Sequence, residues 1–215
     1  MHDLAAACSR IKAEIHHTLG SRHPPILVAL DGGSGAGKST LASMLAQTVD
    51  SVIVQLDDFF SASIPDWKWD TRSIPERARD VFEWQRLRSE ALEPLLASRV
   101  ARWHPFDFAA GLRADGTYGL SQQWVERQPA PVIILEGAYS SNPEIADLID
   151  LAVLLDVPML ERHHRLDQRE GDKQFLQRWH TLWDPVEEYY FTEVRPRSSF
   201  DLIVPGSSRM RTSDT

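Results

Sequence analysis

The sequence predicts an α/β fold for this 215-residue chain, a mainly parallel five-stranded sheet flanked by helices. Three observations carry that expectation. Short apolar runs of the kind that form buried parallel strands recur at 26–30, 52–56, 132–135, 151–155 and 202–204. Segments with helical spacing lie between them, the alternation from which α/β domains are built. Finally, Gly32, Gly33, Ser34, Gly35, Ala36, Gly37, Lys38 and Ser39 spell out a complete G-x-x-x-x-G-K-[ST] phosphate-binding loop between the first run and a helical segment.

Taken in order, residues 3–19 form an opening helix with Leu4, Ala7, Cys8, Ile11 and Ile15 on its apolar positions, ending at Gly20 before Pro24-Pro25. The strand at 26–30 and the phosphate loop follow, and Thr40 begins a helix carrying Leu41, Met44, Leu45 and Val49 as apolar positions. A second strand runs into Asp57-Asp58-Phe59-Phe60, the place where sites form outside the carboxyl ends of parallel strands. Polar character, Pro65 and Pro75 assign 61–79 to loop facing a substrate. Residues 83–98 are helical, with Trp84, Leu87, Ala91, Leu92, Leu95 and Leu96 as a core stripe. An extended segment at 100–108, with turns at Gly116 and Gly119, suggests a hairpin. The third strand ends at Glu136-Gly137 and the fourth at Asp156. A cationic stretch over 161–173 leads into a helix at about 173–194 and the last strand. Residues 1–206 therefore read as one domain, with a helical lid at about 158–173 and a frayed polar tail at 207–215.

The residue types of the loop fit a nucleoside triphosphate. Its glycines let the backbone approach phosphate and converge amide N–H groups on it, and the following helix points its positive end at the same place. Lys38 is expected to reach the β and γ phosphates, Ser39 to hold Mg2+, and Thr40 to complete the nucleotide cradle.

Composition narrows the partners. A formal charge of −8 argues against polynucleotide, whose binding needs clustered cations. The single cysteine, Cys8, makes no internal disulfide and suits a reducing, cytoplasmic location. No apolar stretch is long enough to cross a membrane and no basic, then apolar, leader opens the sequence. A homo-oligomer is left open, because exposed and buried apolar faces look alike at this level.

A phosphotransferase needs a base, metal ligands and positive charge over the moving phosphoryl group. Asp57 is the first candidate for the base, with Asp58 second; the competing role for Asp57 is to cap a helix starting near Phe59. Glu136, at the matching strand tip, is a candidate Mg2+ ligand, direct or through water. Arg162, Arg165 and Arg169 have helical spacing and form a cationic face that could close on phosphates, or a solvated helix paired with Glu161, Asp167 and Glu170. His163 and His164 are assigned to the exposed face of that helix and not to a metal site. Trp67, Trp69, Trp103 and Trp124 fall in segments expected to flank an acceptor, and Asp70, Asp80 and Asp107 are candidate partners for sugar hydroxyls.

These motifs, in this order, resemble the uridine kinase and phosphoribulokinase group of P-loop kinases, which includes bacterial pantothenate kinase. The resemblance runs from about 24 to 206 and is carried by residues 32–40, Asp57-Asp58-Phe59-Phe60, Phe106-Asp107-Phe108, Leu135-Glu136-Gly137, the arginines at 162–169 and Asp201 to Gly206. It implies ATP and Mg2+, Asp57 as general base, Glu136 near the metal, and an arginine-bearing mobile lid. It also implies acceptor contacts from Phe106, Asp107 and Arg113. Two departures stand out: Gly111 occupies a position where uridine kinases carry a base-recognising histidine, and Arg169-Glu170-Gly171 stands where they have Glu-Arg-Gly.

The expected activity is transfer of the γ-phosphoryl group of ATP to a primary hydroxyl of a small molecule, first a nucleoside. Pantothenate or another small alcohol is the alternative acceptor, and an acceptor-independent regulatory NTPase the alternative class. No Asn-Lys-x-Asp guanine-reading motif is present, which favours ATP over GTP.

Overall fold

The computed structural model describes residues 2–206. Its five-stranded sheet consists of β1 (Ile26–Asp31), β2 (Ser51–Gln55), β5 (Val132–Glu136), β6 (Leu151–Asp156) and β7 (Leu202–Pro205), all parallel and in the spatial order β2-β5-β1-β6-β7. These are the five apolar runs of the sequence. The remaining strands, β3 (Ala101–Trp103) and β4 (Val125–Arg127), form a small antiparallel pair.

Every residue of the central strand β1 is buried, and alternate residues enter opposite layers. Leu27 packs with Val54, Leu87 and Trp183, while Ile26, Val28 and Leu30 pack with Ile11, Ile15, Leu41 and Leu45. Helices His2–Ser21 and Lys38–Ala46 thus cover one face of the sheet. The helix over 84–96 and the C-terminal helix Lys173–Tyr189 cover the other. Cys8 sits in the first of these layers, 8% exposed, as a small apolar residue.

Topology brings the chemistry together. With β5 between β1 and β2, Glu136 pairs in register with Leu30 on one side and Gln55 on the other. The phosphate loop, Glu136 and Asp57, two residues past Gln55, therefore emerge side by side at the carboxyl edge.

Part of the chain departs from expectation. The segment read as loop holds two short helices, Asp66–Thr71 and Ile74–Asp80. The second opens with a reciprocal capping box, in which the Ser73 backbone N–H donates to Glu76 at 2.8 Å. The Ser73-x-x-Glu76 spacing with Pro75 in the first turn was a legible signal for it. The extended segment does turn back on itself, with Ala101–Trp103 pairing to Val125–Arg127 and Phe106 bridging Leu120. The helix predicted over 173–194 ends in a wider-wound turn at Tyr190–Val194. Residues 207–215 lie outside the described part. Among the described residues no helix is long and apolar enough to cross a membrane.

Candidate active site

The phosphate loop is anchored first by the last residue of β1. Asp31 is fully buried and accepts from the backbone N–H groups of Gly32 (2.7 Å), Tyr139 (2.9 Å) and Ser141 (2.9 Å) and from the Tyr190 hydroxyl (2.8 Å). Burial pushes its carboxyl up, and these donors, with Lys38, act against that. One carboxylate ties the start of the loop, the segment after β5 and the C-terminal region together.

A second anchor comes from outside the loop. Glu187 of the C-terminal helix accepts from the Ser34 backbone N–H at 2.7 Å and pairs with Arg162 at 2.7 Å, while Arg162 Nη1 also donates to the Ser34 carbonyl at 2.9 Å. Both side chains are buried, Arg162 at 7% and Glu187 at 3% exposure. Gly35 and Gly37 have φ of 81° and 98°, conformations that favour glycine. Gly33 is required for a different reason: a Cβ there would collide with the Arg162 guanidinium and the Glu187 carboxylate. Arg165, one turn on, donates to the Ala36 carbonyl at 2.9 Å and to the Gly206 carbonyl at 3.0 Å. All three arginines lie on the helix Met159–Arg169, but they are not equivalent. Arg162 lies under the loop, Arg165 touches its rim, and Arg169, largely exposed, lines the cleft and pairs with Glu170.

Lys38 Nζ donates to the Gly32 and Gly33 carbonyls at 2.7 and 3.0 Å, and Lys38 lines a cleft of about 830 Å³. Ser39, Asp57 and Glu136 open onto the same cleft. Burial raises the Glu136 carboxyl, opposed by Lys38, and neighbouring Asp57 raises it further; the nearby Ser39 hydroxyl pulls the other way. Asp57 meets solvent inside the cleft, yet the surrounding walls desolvate it and raise its carboxyl, with Lys38 and Arg169 opposing. Its side chain makes no helix-capping bond; the turn Leu56–Phe59 is closed by the main chain. Asp58 points away, accepting from the Trp103 indole at 2.8 Å.

The far end of the cleft is aromatic. Phe60 makes edge contacts with Trp69, Phe82, Phe106 and Trp183 at centroid distances of 6.2, 5.6, 5.4 and 5.8 Å. Phe108, Tyr118, Phe175 and Trp179 extend this wall, and Asp66 and Arg178, paired at 2.7 Å, are the polar groups within it.

Of the residues singled out in the sequence, the cleft gathers Ser34, Gly35, Gly37, Lys38, Ser39, Thr40, Asp57, Phe106, Glu136, Arg165 and Arg169. Gly32, Gly33 and Ala36 are buried in the loop's underside. Asp107 and Arg113 are not in the lining: Asp107 accepts from the Ala109 and Ala110 backbone N–H groups at 3.0 Å each, and Arg113 is exposed near Gly119. Gly111 is exposed with open space around it, so its loop position, rather than a lost side chain at the cleft, defines it. Trp69 lines the wall, Trp103 is core, and Trp67 and Trp124 are surface residues. Asp70 pairs with Arg178, and Asp80 with Arg72 and Arg79. Sequence reasoning missed Asp31, Glu187 and most of the aromatic wall. Asp31 had a signal, a carboxylate ending a fully apolar strand at the loop, whereas Glu187 had none.

No protein-family model matches the chain. It is similar to the uridine kinase of Borrelia turicatae (strain 91E135), 27% identical over 188 residues covering 83% of this chain and 85% of that protein. It is also similar to the uridine kinase of Mycoplasma pneumoniae, 26% identical over 198 residues, covering 87% and 88% respectively. Among solved structures it resembles one described as "a Possible Uridine Kinase from Bacillus stearothermophilus", with a TM-score of 0.67, 18% identity, and coverage of 94% and 97%. A D-glycerate 3-kinase from Cryptococcus neoformans var. grubii serotype A superposes with a TM-score of 0.61 at 14% identity, covering 94% and 95%. The parallel sheet and its flanking helices are thus shared with these solved structures, and similarity to the uridine kinases extends over most of the chain.

Proposed function

We propose that this chain is an ATP-dependent kinase that transfers the γ-phosphoryl group to a primary hydroxyl of a small molecule, with a nucleoside as the first-choice acceptor. The observation that carries it is the meeting of Lys38, Ser39, Asp57 and Glu136 at one end of a cleft whose other end is walled by aromatic rings. Uridine kinases as relatives support the nucleoside.

The loop amides and Lys38 bind the triphosphate, and Arg165 and Arg169 add positive charge over it. Ser39 and Glu136 are oxygen donors beside each other, the set a Mg2+ ion takes in phosphoryl transfer. That ion, when bound, neutralises charge on the phosphates. Asp57 accepts the acceptor's hydroxyl proton, and its raised carboxyl is the better base for it near neutral pH. Arg162 acts through Glu187 and Ser34 by holding the loop in place. Phe106, in the cleft lining, packs against the acceptor; Asp107 and Arg113 are tied to it by the motif resemblance alone. A buried single thiol suits the cytoplasm.

The extent of the aromatic wall also favours a second acceptor class, less polar small alcohols, over an acceptor-independent NTPase, which has no use for such an enclosure. A panel of nucleosides, pantothenate, sugars and aryl alcohols, scored by ADP release and by phosphorylated product, tests the class. ADP production that no acceptor stimulates would reject the kinase. Within the panel, Asp57→Asn is expected to lower turnover about 10²- to 10⁴-fold with ATP affinity retained.

A further inference from the structure

Away from the cleft, His163, His180 and Asp184 converge where the helix Met159–Arg169 meets the C-terminal helix. One donor atom from each lies within 4.8 Å of the other two. His180 and Asp184 are one helical turn apart and share a face, and His163 reaches them from the other helix. Sequence spacing had assigned His163 and His164 alike to solvent; the structure leaves His164 exposed and turns His163 inward.

The Asp184 carboxylate is divided between the two imidazoles. Oδ1 lies 3.2 Å from His180 Nδ1, and Oδ2 lies 3.0 Å from His163 Nε2. The second contact is close without being a hydrogen bond, since His163 Nε2 is sealed from solvent and has no partner in hydrogen-bonding geometry. A solvent-sealed ring nitrogen 3.0 Å from a carboxylate but out of hydrogen-bond alignment with it is incompletely satisfied in the protein alone. A cation held between the three groups satisfies it. Around tetrahedral Zn2+, bonds of about 2.0–2.2 Å put neighbouring donor atoms about 3.3–3.6 Å apart, within the 4.8 Å that spans one donor atom from each of the three residues. Two imidazoles and a carboxylate suit Zn2+ or a similar transition metal, whereas Mg2+ takes oxygen donors.

We propose that His163, His180 and Asp184 form a binding site for a Zn2+-class divalent ion that staples the arginine-bearing helix to the C-terminal helix. The position gives the staple a role. His163 follows Arg162 in sequence and Asp184 precedes Glu187 by one helical turn, and Arg162 and Glu187 are the pair that grips Ser34 of the phosphate loop. The ion thus fixes, from outside the cleft, the two helices whose buried ion pair shapes the loop. The inference does not depend on which acceptor the cleft takes.

The test uses the full, tag-free, chelator-treated chain with Mg2+ in excess, titrated with Zn2+ by calorimetry and with Co2+ by visible absorption. One saturable site per chain, the visible bands of four-coordinate Co2+, and metal-dependent slowing of amide hydrogen exchange over 159–184 are expected. His163→Ala and His180→Ala should weaken binding by about tenfold or more, while His164→Ala, which alters the exposed neighbour bonded to Gln168, should not. His180→Gln keeps a donor for Asp184 and serves if an alanine variant fails to fold. Absence of saturable binding overturns the proposal. So does binding that His180→Gln leaves unchanged, which would assign the metal to other histidines or to Ser39 and Glu136.

Discussion

At the phosphate end of the cleft the walls are main chain and charge, taken from the continuous stretch 31–40 and braced by Arg162, Arg165 and Glu187. At the other end they are rings, taken from segments scattered between Phe60 and Trp183. In the first region the buried carboxylates of Asp31 and Glu187 each hold more than one donor. Such a network tolerates little change, because a partner removed leaves a buried group unpaired. In the second region the contacts are tilted and edge-on aromatic pairs, which can repack with modest loss. On the proposed function the donor end serves one task common to many kinases, and acceptor choice would reside in the more adaptable end.

The contrast is broken most directly at Glu187. Glu187→Gln leaves Arg162 buried without its counter-charge, and a stability loss of about 3–5 kcal/mol is expected by urea unfolding, with weaker ATP binding. A loss below about 1 kcal/mol would mean that the donor end is as adaptable as the acceptor end. Lys38→Met should lower kcat about 10²- to 10³-fold while the protein stays folded by circular dichroism, separating charge on the phosphates from support of the loop.

A pH profile probes the junction of the two regions. As the proposed base Asp57 would act deprotonated, and burial raises its carboxyl, so kcat/KM should fall as pH drops through a value higher than that of an ordinary aspartate. Arg169 opposes that rise; Arg169→Ala should move the acidic limb to still higher pH, and an unmoved limb would remove Arg169 from the electrostatics of the base. The smallest effect is expected at Phe108, which lines the cleft yet is 63% exposed. Phe108→Ala should raise KM for the acceptor a few-fold, about 1 kcal/mol, with KM for ATP and stability unchanged.

Legibility followed the same division. The loop, Asp57 and Glu136 could be located from sequence because a buried parallel strand announces itself as an apolar run and its carboxyl tip is where sites form. The capping box at Ser73 and Glu76 was equally readable, although polar composition hid the helix behind it. Arg162 was recognised as a phosphate-side arginine but lies beneath the loop, because helical spacing defines a face without saying what that face meets. Asp107 was tied to the acceptor by motif alone, and it closes its own turn.

The sequence alone determined the α/β alternation, the strand tips and the phosphate loop, since strand burial, helix period and glycine chemistry are properties of neighbouring residues. Only the tertiary structure decided that Glu187 grips Ser34 across 153 residues and that Arg162 is its partner across 25. It also decided that rings from distant segments make one wall and that His163 turns toward His180. These are pairings of remote side chains, settled by how the helices pack on the sheet, and no local pattern encodes them.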